Sequence, residues 1–268
     1  MDSFTATAPG RLCLFGEHQD YLNLPVIALS LPLACWIHVT PRLNNNRDLV
    51  MRFGTTVWTI DLDNVPPEQI IAEGGSDDLD FALAAVHEVL KDGWIIQCGA
   101  DCVSTTTIPL QAGCSSSSAF CVAWIQVLAK LSGKTLSPLE LAQWAHRAEV
   151  VHFGSPGGTM DHVTSALGGI LRIGPGMWDY QRLSTPPGLW VLAYSGEPKD
   201  TLKHLNRCKG QRLKLLEKLG GSWDTGEQDQ VASSLSEDER SLLKATRTTR
   251  DMEQQAANEW TIASGSGL

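Results

Sequence analysis

The chain lacks an apolar run of the ~20 residues that a membrane span needs, a cysteine pair at metal-binding spacing and any surplus of basic residues. Its most apolar stretch, residues 24–37, is interrupted by Pro25, Ser30 and Pro32. The first five residues show no basic segment leading into an apolar one, so no secretory signal is expected. The cysteines (Cys13, Cys35, Cys98, Cys102, Cys114, Cys121 and Cys208) are odd in number, scattered and mostly in apolar context. Reduced thiols and a cytoplasmic location follow as the expectation. With 21 basic against 30 acidic residues the net charge is −9. Such a surface repels phosphate backbones and anionic lipid, which argues against nucleic-acid or membrane partners. Phosphate can still be held locally by backbone N–H groups.

What is present is ordinary globular composition: 268 residues, 43% hydrophobic, with 24 Gly. That excludes a disordered or fibrous chain and allows a sizeable core. Charge density changes near residue 198. Residues 1–198 hold 10 basic and 19 acidic side chains, whereas 199–259 hold 11 of each in 61 positions. The first part reads as a dense core with a site, the second as amphipathic helices with solvated faces.

Short apolar runs predict strands over 11–15, 26–33 and 34–40, and residues 49–53 and 56–61 read as a hairpin about Gly54. Ser76 and the acidic residues after it open a predicted helix that runs to Lys91 and stops at Gly93. Residues 94–107 read as one or two strands. Residues 115–131 form a helix apolar on nearly every side, hence buried. Ser137, Pro138 and Glu140 make a capping box for a helix to about residue 152. Strands are predicted over 168–173 and 189–194, and helices over about 200–219 and 237–259, the last opened by a capping box at Ser236–Glu239. Strands first and helices late predict an α+β fold rather than a doubly wound sheet.

Three segments could carry chemistry. Residues 8–21 deliver Arg11, Glu17, His18 and Asp20 around one strand end, which suits a polyhydroxyl ligand because carboxylates accept directed hydrogen bonds. The same residues could equally be a surface turn with ordinary salt bridges. Residues 108–119 put Gly113 and four serines, Ser115 to Ser118, in front of the buried helix. Small residues and a helix N-terminus suit an anion, although one serine would suffice as an N-cap, and the segment is not a GxxxxGK[ST] loop. The third segment sets Glu149 on a helix, then a Gly/Pro-rich loop with Gly158, then Asp161. A stiffly held carboxylate suits a base or a metal ligand; the alternative is Asp161 as the N-cap of a short helix.

Together these segments resemble the GHMP kinases (galactokinase, homoserine, mevalonate and phosphomevalonate kinases), and above all the galactokinase-like sugar kinases. The family's patterns read like PGRxNLxGEHxDY, PxGAGLSSSA and AEHxFxGxPCGxMD, in the same order over about residues 6–173. Glu149 precedes Asp161 by twelve positions, as in the third pattern. The resemblance implies a two-domain GHMP fold and an ATP- and Mg²⁺-dependent kinase acting on the anomeric hydroxyl of a sugar. It implies Asp161 as general base with Arg11 beside it. Glu17, His18, Asp20 and Gly158 would form the sugar pocket. Gly113, Ser115, Ser116, Ser117 and Ser118 would cradle the ATP phosphates, with Ser117 and Glu149 on Mg²⁺.

Departures from the patterns are Gln19 for a threonine, Gln111 for a glycine, Cys114 for a leucine, Val150 for a histidine and Gly157 for a cysteine. They imply a shifted pocket. The family's third glycine-rich motif is not found. Residues 1–173 are therefore expected to form the nucleotide- and sugar-binding domain and 174–268 an incomplete second domain, giving a poorly soluble and weakly active chain. The competing readings are a mevalonate- or homoserine-type kinase, which the Glu-His-x-Asp-Tyr form of residues 17–21 disfavours, and a non-catalytic sugar- or nucleotide-binding protein.

Overall fold

The computed structural model describes residues 1–42, 47–66, 78–186, 188–193, 196, 201–224 and 235–265, without the side chains of 201–206 and 261–265. The chain runs β1 (Phe4–Phe15), β2 (Val26–Pro41), β3 (Asp48–Phe53), β4 (Thr56–Asp61), α1 (Asp78–Lys91), β5 (Ala100–Thr106), α2 (Ser116–Leu131) and α3 (Pro138–His146). It continues through α4 (Met160–Leu167), β6 (Ile170–Ile173), β7 (Tyr180–Leu183), α5 (Thr201–Lys218) and α6 (Glu237–Gly265). The fold is α+β, as expected.

Seven strands form one sheet in the order β4-β3-β5-β2-β6-β7, with β1 pairing β2. Every pairing is antiparallel except β3 with β5. The two strands expected over 26–40 are one. Its first residues, Val26 to Leu29, pair β6 and its last, Cys35 to Pro41, pair β5. Pro32 falls between the two partners, where no ladder bond is asked of its missing N–H.

Helix α2 lies at the centre of the core, packed against the sheet, with Phe120, Trp124, Ile125 and Leu128 fully or almost fully buried. The Trp124 indole donates to the Ala82 carbonyl on α1, so the largest core side chain leaves no orphaned donor. The predicted capping box closes in both directions: Ser137 N donates to Glu140 (2.7 Å) and Glu140 N to Ser137 Oγ (3.3 Å). Ser236 and Glu239 repeat it before α6.

Three expectations need adjustment. Residues 94–107 supply one strand, β5, while Trp94 and Ile96 plug the core from irregular backbone. Residues 189–193 are not a strand: Leu189 is 99% exposed, and among the described residues no strand pairs with it. The sheet edge is taken instead by β7, an exposed segment without an apolar pattern. Ser76, the predicted start of α1, lies outside the described residues. Among the described residues no helix is long and apolar enough to cross a membrane.

Candidate active site

The site begins at Gly10. A Cβ there would lie 2.7 Å from the Cys114 carbonyl oxygen, so only glycine lets β1 press against the loop before α2. Arg11 N then donates to that carbonyl at 3.1 Å. The register of β1 on β2 slips between Pro9 and Arg11 and again between Cys13 and Phe15. Such irregularities re-aim side chains. Arg11 points inward, 8% exposed. Its Nε donates to Asp161 Oδ1 at 2.6 Å and its Nη1 to the Gly113 carbonyl at 2.7 Å. Burial alone would lower the Arg11 pKa, but the Asp161 carboxylate outweighs it and raises the value. Reciprocally, burial would raise Asp161, yet the Arg11 charge and hydrogen bond hold it below the usual carboxylate range. Asp161 is ionised at neutral pH.

The loop entering α2 is held in unusual backbone. Gln111, Gly113 and Ser115 all have left-handed φ (53°, 75° and 54°), a conformation that non-glycine residues adopt at a cost and that clusters at functional sites. Ser115 occupies the N-cap position of α2 but makes no capping bond. Its Oγ is buried and adjoins the Asp161 carboxylate without the geometry of a full hydrogen bond. A serine N-cap is therefore not what the four serines are for. Ser116 begins the helix, whose first N–H groups have no intrahelical partner. The hydroxyls of Ser117 and Ser118 adjoin the Glu149 carboxylate.

Glu149 sits in a π-helical turn, Arg147–Val151, that continues α3. Such turns are common at functional sites because the extra residue per turn displaces side chains. Its Oε2 accepts from His162 Nε2 at 2.7 Å; a carboxylate can only accept, so the hydrogen lies on Nε2. Burial would raise Glu149, but His162, Ser117 and Ser118 together hold it below the ordinary value. His146 stacks edge-on against His162, with centroids 5.2 Å apart. Burial, and after it His162, lower His146 to about 4, so it is neutral.

Glu88 of α1, 4% exposed, grips both flanks of this turn. It accepts from Arg147 Nε at 2.5 Å and from His152 Nδ1 at 2.9 Å, bracketing Glu149. His87, Glu88 and His152 place three ligating atoms within 4.8 Å of one another, but Glu88 is already committed to Arg147 and His152. Sequence reasoning missed Glu88 and His162. The available signals were a lone carboxylate in the apolar run of α1 and a histidine directly after Asp161.

Beyond β1, Gly16 and His18 take left-handed φ and a short 3₁₀ turn, Asp20–Leu22, follows. Glu17 is exposed, and its Oε1 lies 4.0 Å from His18 Nε2. Asp20 Oδ2 accepts from Met160 N at 3.2 Å. A Cβ on Gly158 would lie 1.9 Å from that same oxygen, so any larger residue there must displace the Asp20 carboxylate or the loop. Val150 and Gly157 also fit as a pair: a Cβ on Gly157 would approach Val150 Cγ2 to 3.0 Å.

Burial, and after it the neighbouring Asp161 charge, push Asp20 up to about 6. Folding thus favours its protonated form, a contribution full below the unfolded pKa of about 3.9 and lost as pH rises through about 6. Asp20→Asn is expected to remove that slope. The drop in urea midpoint between about pH 5 and about pH 7.5 should shrink in the variant; an equal drop in variant and parent would assign the slope elsewhere.

Asp20 and Gly158 also line a cavity of about 420 Å³, shared with Tyr21, Val150, Thr159 and Lys209. Arg11, Asp20, Gly113, Ser115, Ser117, Glu149, Gly158 and Asp161 thus converge on one centre, and Glu17 and His18 lie on the turn leading to it.

Comparison with known proteins matches residues 1–41 to the galactokinase galactose-binding signature and residues 80–169 to the GHMP kinases N terminal domain. A mevalonate kinase of Thermococcus sibiricus is 28% identical over 204 residues, 73% of this chain and 58% of the relative. A galactokinase of Streptomyces coelicolor is 34% identical over 162 residues, 59% of this chain and 40% of the relative. The chain spans 58% of the length of the mevalonate kinases of Thermococcus sibiricus and Pyrococcus furiosus. Lactococcus lactis galactokinase, solved with galactose, shares the fold at a TM-score of 0.72 and 19% identity, covering 97% of this chain and 70% of its own. The two matched segments supply the two halves of the centre, Arg11 and Asp20 from one and the serine loop, Glu149 and Asp161 from the other, so the similarity to the GHMP kinases covers the centre itself.

Proposed function

We propose that this chain is an ATP-dependent small-molecule kinase of galactokinase type, transferring phosphate to the anomeric hydroxyl of a sugar. The observation that carries this reading is the buried Arg11–Asp161 pair tied to Gly113 of the serine loop, which sets a carboxylate and a cation beside the loop that opens α2. In the transfer, a bond forms from the acceptor oxygen to the γ-phosphorus and the bond from that phosphorus to the β-phosphate oxygen breaks. ADP leaves, and the hydroxyl proton passes to Asp161 Oδ. A carboxylate held this acidic is a weak base, so it takes the proton late, when the bond to ADP is largely broken. Arg11 offsets charge at the centre, and backbone N–H groups at Gly113 and Ser115–Ser118 hold the phosphates. Glu17, His18, Asp20 and Gly158 bind and shape the sugar.

An ionised carboxylate facing a hydroxyl fits Mg²⁺, a hard cation that keeps most of its waters. Glu149 and Ser117 would hold it, and it would supply charge neutralisation for the transferred phosphate. Glu149→Gln is expected to raise the Mg²⁺ concentration for half-maximal turnover by about tenfold, with sugar binding in the absence of metal retained. An unchanged Mg²⁺ dependence would remove Glu149 from the metal. We take residues 1–173 as the nucleotide- and sugar-binding domain and 174–268 as the second, and place the enzyme in the cytoplasm, in keeping with its seven free thiols.

A mevalonate-type activity is the second reading, favoured by the mevalonate kinase relatives that align over 73% of the chain. The galactose-binding signature over residues 1–41 favours the sugar. Following ADP release across hexoses, pentoses and mevalonate decides between them: the sugar-kinase reading expects acceptor-dependent ADP only with sugars.

A further inference from the structure

We infer that His87, Glu88 and His152 form a site for zinc, which fastens α1 to the turn carrying Glu149. The three side chains take no part in the transfer chemistry, and their ligating atoms lie within 4.8 Å of one another. His152 Nδ1 is 2.9 Å from Glu88 Oε1, and His87 Nδ1 is 3.8 Å from the same oxygen. Tetrahedral ligands at about 2.0–2.2 Å from zinc stand roughly 3.3–3.6 Å apart, so shifts of about half an ångström would seat the ion. The His87 and His152 rings meet edge-on with centroids 5.5 Å apart, close to the ~5 Å expected of two imidazoles on one tetrahedral ion. His87 Nδ1 is buried without a hydrogen-bond partner, since 3.8 Å is too long for one. A buried polar atom left unmatched needs a reason, and an ion is one of the few available. The His152 side chain is fully buried and Glu88 nearly so, whereas 19% of the His87 side chain is open. That opening gives the ion an entry and room for a water as fourth ligand.

The commitment of Glu88 to its two partners sets the cost of binding. Arg147 holds Oε2, which leaves Oε1 facing both histidines. Burial would raise the Glu88 pKa, but His152 and Arg147 hold it below the ordinary value, so the ligand is already an anion. The Arg147 charge weakens the hold on a cation, and Asp92, 3.8 Å from Arg147 Nη1, offsets part of that. The hydrogen on His152 Nδ1 must move to Nε2, an atom that is buried and has no hydrogen-bond partner to lose. Two imidazole nitrogens and one carboxylate oxygen select zinc over Mg²⁺, which prefers oxygen throughout. His152 N also donates to the Arg147 carbonyl at 2.9 Å and closes the π-helical turn. An ion on His152 therefore ties the backbone around Glu149 to α1.

The test is calorimetric titration of zinc chloride into the full chain freed of metal, with and without excess Mg²⁺, and into His87→Leu and His152→Phe. The parent should bind one equivalent at micromolar zinc, unmoved by Mg²⁺, and its thermal midpoint should rise with zinc. Each variant should lose affinity by about 10²-fold or more, at least what an outer-shell partner carries. His87→Leu breaks no hydrogen bond among the described residues, so it reads the site even if His152→Phe, which takes one from Glu88, fails to fold. Cobalt in place of zinc should give the visible absorption of a tetrahedral ion without thiolate charge transfer, which separates this site from the free cysteines. No zinc bound at micromolar concentration, or binding that His87→Leu leaves unmoved, overturns the inference. So does displacement of zinc by Mg²⁺, which would put the ion at Glu149 instead. None of these readouts needs phosphate transfer, so the site stands or falls apart from the kinase reading.

Discussion

Asp161→Asn is expected to lower turnover by on the order of 10²-fold or more, with ATP affinity nearly unchanged. Asparagine keeps the shape of the side chain and can still accept from Arg11 Nε, so the 2.6 Å contact has a neutral substitute. It cannot take a proton and it removes the charge that raises the Arg11 pKa. Two effects follow: the acceptor hydroxyl loses its proton sink, and Arg11 is left buried without its anion. The first falls on turnover; the second falls on stability, because an unpaired buried charge is costly. Rapid-quench measurement of the transfer step, with nucleotide binding titrated separately, separates them. Equal turnover in variant and parent would take Asp161 out of the chemistry.

Gly158→Ala should be nearly as severe for a different reason. The new methyl carbon would sit 1.9 Å from Asp20 Oδ2, inside any permitted contact, so the loop or the Asp20 side chain must move by more than an ångström. Either movement breaks the Met160 N–Asp20 bond that fixes the two segments together. Displacement on that scale at a reacting centre costs roughly 10²-fold. The loss should appear in kcat/KM for the acceptor, while nucleotide binding at the serine loop is retained. Asp20→Gly in the same chain removes the clash and should restore the loop position in a crystal structure without restoring acceptor affinity. Full activity of Gly158→Ala would show that Asp20 does not touch the acceptor.

Much of this was legible in the sequence where one physical rule acts alone. The buried helix α2 was readable because almost every residue from Ala119 to Leu131 is apolar, and the Ser137–Glu140 box because capping is local chemistry. The three chemical segments were readable as clusters, and the structure brings Arg11, Gly113 and Asp161 to one place from three distant stretches. What failed were features decided by partners. Strand β2 runs through Pro32 only because β5 and β6 divide its edge on either side of that residue. β7 carries no apolar pattern because its residues are largely exposed, while the apolar residues 189–192 have the pattern but no pairing strand among the described residues. Glu88 and His162 were missed because their importance lies in what they hold, namely the turn around Glu149 and its carboxylate.

The central claim is that this centre moves the γ-phosphoryl group of ATP to a small acceptor. Phosphorus NMR of the chain with Mg²⁺-ATP and the acceptor panel measures that directly. The account predicts a new phosphomonoester signal coupled to an anomeric proton, growing with ADP and absent in Asp161→Asn. ADP appearing with inorganic phosphate alone, or no consumption of ATP with any acceptor, would contradict it.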